Sequence, residues 1–551
     1  MIFEHRYYGH SRVENTASDT RMSFAPDTLR KPTHFSARLA RHLPFREAIS
    51  ALHDVVVSDL RTLPKDRSVY FTWLKEQETS LLADYLLQGK ELRAKIAPLQ
   101  TELAALRAKK EALMAPFRKA QRKYFDYLYK ENRDAWMVLD PVITVHPDRL
   151  FFECFSRDES TYASLSCSHN VFGQIGEFAC GTTNIDYSAD LYDEFQKIRD
   201  YKTTELSIAP EGFQVRTADD PDYIEEKIDL PDSWVRGFLQ VSSAMTVPAH
   251  TVELHPMDVH NICLILRRHK ERVGPRAIRF ALTPNQPVKL VFEPWNHEIV
   301  CPRSRYLGDE AAEIRIWGRR RLLTLERLIP VANRFTVHLL GYGLPSFWVA
   351  EMPDMQYTLG LSGWTANDWS RSGQFDLLAP RASVSGAETA SVLAALSAGW
   401  FATEAELARS AGLPPDTIAG ALTLLTQAGR AIYDIANQVW RLRELSATPL
   451  PLSQLRFANP REEAAAGLLA GGPIQVEQQD AEQQGAHWLR GKVNDKRRAY
   501  QVSLLIDADE RLLDGDCQCN FHTQNRLRRG PCEHMLALRQ SQAARKILHA
   551  H

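Results

Sequence analysis

The feature that most narrows what this chain can fold into lies near its end. Cys517-Gln-Cys519 is followed, after a gap of twelve residues, by Cys532-Glu-His534. Three thiols and one imidazole are a complete tetrahedral set for zinc. The chain meets that geometry only if two separate short segments converge on one point. Cys-x-Cys sets two thiols side by side where a strand turns out. Cys-x-His, just after Pro531, opens a terminal helix, whose N-terminus favours the thiolate form that binds metal. Three thiolates and a neutral imidazole leave a zinc site with a charge of about −1. All four positions are filled by protein, so the zinc is expected to be structural rather than catalytic. His522, between the two halves, is the only close substitute ligand. The remaining cysteines, Cys154, Cys167, Cys180, Cys263 and Cys301, are scattered and read as buried thiols of a reducing compartment.

A chain of 551 residues has room for roughly three to five domains. Hydrophobic residues at 44% and charged ones at 25% argue against wholesale disorder. The net charge of −1 excludes a uniformly basic nucleic-acid coat, though not a local basic patch. No apolar run approaches the roughly 18–20 residues that cross a bilayer. The start, MIFEHRYYGHSR, is no secretory signal. The expectation is a cytoplasmic protein with no membrane contact.

The fold class expected is multidomain α+β. Residues 1–69 mix strand and helix signals. Residues 70–133 carry Leu92, Ile96, Leu99, Leu103, Leu106, Leu113 and Phe117 at heptad-like spacing, which predicts a long helical or coiled-coil arm. Pro98 and Pro116 would break it into shorter helices. Residues 134–380 read as a central α+β body. Its strands are expected at Leu150–Phe155, Pro287–Phe292, Glu313–Trp317 and Phe335–Leu340, and its helices at Tyr187–Tyr201 and Met257–Arg272. LGLSGWTANDWS, from Leu359, suggests a tight turn under large aromatics.

Residues 388–445 predict three helices and a hairpin, the order of a winged helix-turn-helix. Val392, Leu393 and Leu396 form one helical face. Thr403 and Glu406 make a capping box for the second helix, which stops at Gly412. The third helix starts at Pro414–Pro415 and buries Ile418, Ala421, Leu422 and Leu425. Its outward positions would be Asp416, Ala419, Gly420, Thr423, Thr426 and Gln427. Strands Ala431–Ile435 and Val439–Leu442 follow, with Asn437 in the turn. Residues 446–485 read as a linker with one short helix near Glu462–Leu469. Residues 486–551 supply strands at His487–Val493 and Ala499–Ile506, the Cys/His cluster, and a final helix from about Glu533 to Leu548.

Cys-x-Cys, a variable gap and Cys-x-His, preceded by strands and followed by a helix, resemble the SWIM zinc finger, a ββα unit. Cys517, Cys519, Cys532 and His534 fall on its four ligand positions. VELHPMDVHNICLILRRHKER, EIRIWGRRRLLTLERLIP and LGLSGWTANDWS resemble the long bacterial SWIM zinc-finger proteins, encoded beside a MoxR-type AAA ATPase and a von Willebrand factor A protein. The resemblance implies one structural Zn2+ and a non-catalytic adaptor that docks those proteins. SWIM domains elsewhere are credited with binding DNA or protein.

Charge separates the two candidate DNA-contacting modules. In 388–445, four basic and six acidic residues leave −2, and the third helix has no Lys or Arg. Base edges and phosphates are read mainly by cationic and amide side chains, so that helix suits protein contact better. In 486–551, twelve basic and seven acidic residues give +5. Lys496, Arg497 and Arg498 occupy a hairpin turn, and Arg526, Arg528 and Arg529 the loop between the metal half-sites. These six would meet nucleic-acid phosphates or an acidic protein partner. Two further clusters, Arg267, Arg268, Lys270 and Arg272, and Arg319, Arg320 and Arg321, read as solvated or paired surface, with Glu326 an ion-pair candidate.

No catalytic set emerges. Gly176-Glu-Phe-Ala-Cys-Gly181 has Thr182 where a P-loop needs Lys. Gly360-Leu-Ser362-Gly363 misses the nucleophile-elbow spacing by one residue. Glu253, His255, Asp258 and His260 could hold a second metal, although such spacing is ordinarily structural. The expectation is a protein without enzymatic activity. The two competing readings are a protein-docking adaptor and a DNA-binding regulator.

Overall fold

Segments such as Thr161–Ser168 (TYASLSCS) and Ser346–Met352 (SFWVAEM) carry apolar or small residues at nearly every position. Strands of that composition need cover on both faces. The computed structural model describes residues 12–15, 18–24, 26, 33–58, 141–185, 195–208, 232–270, 277–341, 343–363, 384–446, 450, 455, 457, 459–472, 474–480, 486–495, 498–507 and 512–549. They lie in one compact unit, Met1–Ser58 with Leu139–His551. The two segments sit inside an eight-stranded antiparallel sheet. Its spatial order is His250–Leu254, Arg334–Leu339, Ser346–Met352, Met355–Leu361, Thr161–Ser168, Arg149–Phe155, Val142–Val145 and Gly181–Asn184.

Both faces are covered. On one, helix α1 (His42–Val56) brings Phe45 to within 6.4 Å of the Phe152 ring, and Tyr357 Oη donates to Ala51 O at 3.1 Å. On the other, α2 (Asp232–Ala244) sets Phe238 against Phe155, with ring centroids 4.8 Å apart. Helix α3 (Pro256–Arg268) follows the first strand of the sheet. A five-stranded sheet and a four-stranded antiparallel sheet complete the body. The second runs His297–Arg305, Pro287–Phe292, Ala277–Leu282 and Ala312–Trp317.

Residues 386–442 contribute α4 (Gly386–Gly399), α5 (Glu404–Ala411) and α6 (Pro415–Gln427). A three-stranded sheet of Phe401–Ala402, Val439–Leu442 and Ala431–Asp434 follows. Thr403 and Glu406 form the reciprocal capping box, and Gly412 ends α5 in the left-handed conformation. Val392, Leu396, Leu407, Ile418, Ala421, Leu422 and Leu425 share one core.

The hairpin of this region lies on the polar part of the central sheet. Arg441 donates to both carboxylate oxygens of Asp148, at 2.9 and 3.0 Å, and to Asp434 at 2.7 Å. Arg443 pairs with Glu153 at 2.8 Å, with both side chains under 5% exposed. Tyr162 donates to the same carboxylate at 2.7 Å. A cavity of about 40 Å³ between sheet and hairpin is lined in part by Ser164, Ser166, Thr358 and Ile432.

The structure differs from the sequence-based expectation in several places. On α6, Gly420, Thr426 and Gln427 are buried, not outward, because α2 packs on the side of α6 away from its own core. Arg319 and Arg321 are buried rather than solvated. Arg319 donates to Ala277 O at 2.9 Å and to Glu293 O, while Glu326 takes Arg267. The 446–485 segment carries the expected short helix, α7 (Pro460–Ala470), and in addition strand Gln475–Asp480, which pairs with His487–Asp495. In the body, strands such as Val142–Val145, Thr161–Ser168, Ala277–Leu282 and Ser346–Met352 add to those the composition marks. The arm at 70–133, most of the helix expected at Tyr187–Tyr201 and the aromatic turn from Trp364 lie outside the described residues.

Removing one member of a buried ion pair strands the other charge. Arg443→Ala is expected to lower unfolding free energy by about 3–5 kcal/mol in a urea melt. A loss of less than about 1 kcal/mol would show that Glu153 is not held as described.

Candidate metal centre

The C-terminal sheet runs Gln475–Asp480, His487–Asp495, Arg498–Ile506 and Leu512–Cys517, all antiparallel. Leu489, Val493, Val502, Leu504 and Ile506 are buried at alternating positions, so one face is apolar. Helices α7 and α9 (Glu533–His549) cover that face. The approach is close at Gly491, where a Cβ would lie 2.6 Å from Gln475 O and 2.4 Å from Leu538 Cδ1.

Packing α9 on this sheet delivers the four donors to one place. Cys517 ends its strand, opposite Val502. Cys519 caps the short helix α8 (Asn520–Asn525), and its Sγ accepts from His522 N at 3.4 Å. Cys532 immediately precedes α9, and its carbonyl accepts from Leu536 N at 3.0 Å. His534 lies in the first turn of α9. The ligand atoms of Cys517, Cys519, Cys532 and His534 all lie within 4.8 Å of one another, and all four residues are buried. Among the described residues this is the only group of its kind.

The donors fit a metal ion for a second reason. Neither ring nitrogen of His534 has a hydrogen-bond partner, although the side chain is buried. The Asp495 and Glu533 carboxylates stand 3.7 Å away. A buried imidazole without partners is costly unless something else occupies its lone pair. The Tyr500 ring, 4.1 Å from the imidazole, fixes its plane.

Proton affinities follow from the crowding. A hydrogen bond with Cys517, and then burial, push the Cys532 thiol up to about 12. Burial also raises the Cys519 thiol. Burial works against a charged His534, but the neighbouring Cys532, Glu533 and Asp495 raise it overall. The cluster could hold one metal ion, and the ion must then expel these protons.

The loop between the half-sites is braced by Arg461 of α7. Its guanidinium donates to Arg529 O and Pro531 O, both at 2.8 Å, and lies 4.6 Å from the Phe521 ring. Nothing in the spacing of the sequence marks Arg461 or Tyr500 for these roles. His522 is buried beside Asp516, at 3.3 Å, outside the four-donor group.

Arg526, Arg528 and Arg529 are exposed on this loop, Arg526 standing 3.6 Å from Asp516. Arg498 is exposed, with its guanidinium 5.3 Å from the Tyr500 ring. Lys496 and Arg497 lie outside the described residues.

The other sequence candidates are not gathered into sites. His255 caps α3, its Nδ1 accepting from Met257 N at 3.1 Å. Buried Asp258 accepts from Ser304 at 2.6 Å, and Glu253 pairs with Arg334 at 3.4 Å. Gly181–Asn184 is a strand paired with Val142–Val145, not a phosphate loop leading to a helix. No helix among the described residues is long and apolar enough to cross a membrane.

No family model and no curated protein matches the chain. Among solved structures, it is similar to the proliferating cellular nuclear antigen of Entamoeba histolytica. That likeness has 12% identity, covers 41% of this chain and 89% of the other, and has a TM-score of 0.29. A likeness that loose carries no argument.

Raised proton affinities set the sign of the pH dependence. As pH falls, protons compete harder for the thiolates, so metal affinity is expected to fall, by more than about tenfold per pH unit between neutral and mildly acidic conditions. Chelator competition measures this directly. A pH-independent affinity would contradict thiolate ligation.

Proposed function

We propose that this chain is a non-catalytic, zinc-binding adaptor that docks other proteins. The observation that carries the reading is the buried convergence of three thiols and one imidazole. Those donors suit Zn2+ over a hard cation, and four protein ligands leave no position for a reacting water. Such a metal holds a fold together. Residues 486–551, with α7 and the strand before them, are read as a SWIM-type zinc module. By the sequence resemblance, the partners are a MoxR-type AAA ATPase and a von Willebrand factor A protein.

Residues 388–445 are read as a winged helix-turn-helix engaged in protein contact. Its third helix, α6, has no Lys or Arg, and Thr426 and Gln427 are buried. Arg441 and Arg443, two of its four cations, are spent on carboxylates of the chain itself. That leaves little with which to read a major groove.

One observation favours the second reading, a DNA-binding regulator. Arg526, Arg528 and Arg529 are exposed on a loop fixed by the metal half-sites and by Arg461. Arginines held in place can meet a phosphate backbone without sequence preference.

Two experiments test these readings. Cys532→Ser is expected to release zinc and open the C-terminal module to limited proteolysis while residues 1–445 stay folded. A module still protected after that change contradicts a structural metal. For DNA, a salt titration compares the parent with Arg526→Ala/Arg528→Ala/Arg529→Ala. With duplex DNA, the adaptor reading expects no binding at low salt that depends on these three arginines. Tight binding that falls steeply with salt, and less steeply in the variant, would move the assignment to the regulator.

A further inference from the structure

The four-stranded sheet of the body carries a row of π groups at one hairpin turn. Trp295, in the turn between Pro287–Phe292 and His297–Arg305, is 36% exposed. The Arg319 guanidinium lies 4.7 Å from its ring centroid. Arg319 is itself buried and anchored to two backbone carbonyls, so the tryptophan rests on a fixed base. His269, which ends α3, stands 5.1 Å from Trp295 and stacks on His297 at 5.6 Å, with 28° between the rings. His297 is exposed at the open end of the row.

Three exposed cations adjoin members of this row in sequence. Arg268 and Lys270 bracket His269, and Arg320 follows Arg319; all three are exposed. Among the described residues none of the three has an ion-pair partner. Their neighbours do: Arg267 pairs with Glu326, and Lys289 with Glu298 at 2.6 Å.

We infer that this surface binds single-stranded nucleic acid, with a base extending the row from His297 and the exposed edge of Trp295, and phosphates on Arg268, Lys270 and Arg320. Unpaired bases offer a π face to aromatic and imidazole rings, whereas a duplex keeps its faces stacked internally. An acidic or phosphorylated peptide would need the cations but not the ring row. Because Arg319 and the hairpin hold Trp295 in place, little ordering cost remains at binding. The surface belongs to the body, so the inference stands independently of the zinc module.

The test uses the full chain already carrying Arg526→Ala/Arg528→Ala/Arg529→Ala, so that any contact by the zinc loop is removed. Fluorescence anisotropy is read with labelled oligo-dT and oligo-U of about 15 nucleotides, and with a duplex of the same length. Single strands are expected to bind and the duplex to bind more weakly. The dT and U arms show whether the chain prefers DNA or RNA. Trp295→Ala is expected to weaken single-strand binding about 5–100-fold, with Trp295→Phe retaining most of it. Arg268→Ala/Lys270→Ala/Arg320→Ala is expected to reduce the salt slope by about two. This triple carries the test if thermal melting shows that Trp295→Ala is unfolded. Absence of single-strand binding overturns the inference. So does duplex binding of equal strength, or binding, including that of an acidic phosphopeptide, which Trp295→Ala leaves unchanged while still folded.

Discussion

Four donor atoms that must occupy one small volume govern the C-terminal module of this structure. Cys517 and Cys519 come from the end of a strand, and Cys532 and His534 from the start of α9. To bring them within 4.8 Å, α9 must lie close against the sheet, and the chain between must fold back on itself. The glycine at 491 permits that approach, and Arg461 holds the returning loop by its carbonyls. Without a metal ion, the ring nitrogens of the buried His534 lack a well-formed hydrogen bond, and Cys532 keeps its proton. With one, the same residues become the strongest cross-link in the module. The loop arginines inherit their fixed positions from that arrangement.

A second constraint ties residues 386–442 to the body. Arginines on the hairpin meet Asp148 and Glu153 of the central sheet. Buried ion pairs contribute little net stability, but they demand a particular partner in a particular place. They specify how the hairpin sits on a sheet face whose own side chains are partly polar. With α2 packed on α6, that docking covers part of the α6 surface.

Local features were the most legible in the sequence. Pro287–Phe292 forms the strand its β-branched and aromatic content predicts, and Thr403, Glu406 and Gly412 cap α5 as their spacing predicts. The Cys/His spacing singled out the four donors that the fold gathers, because ligand chemistry admits few residue types. What escaped depends on neighbours distant in sequence. Gln475–Asp480 reads as VEQQD-like linker and becomes a strand only because His487–Asp495 offers it an edge. Thr426 and Gln427 look solvent-facing until α2 is placed beside them. Arg319, Arg441 and Arg443 look like surface charge, and only the tertiary fold supplies the carbonyls and carboxylates that bury them. Arg461 reaches a carbonyl 68 residues away, a contact that no local pattern encodes.

The central claim is a metal ion closed in by protein. Metal quantification combined with X-ray absorption of the purified chain tests it most directly. The account predicts about one zinc per chain, with three sulfurs at about 2.3 Å and one nitrogen at about 2.0–2.1 Å. A folded chain without stoichiometric metal, or a zinc with a water oxygen among its ligands, would contradict it.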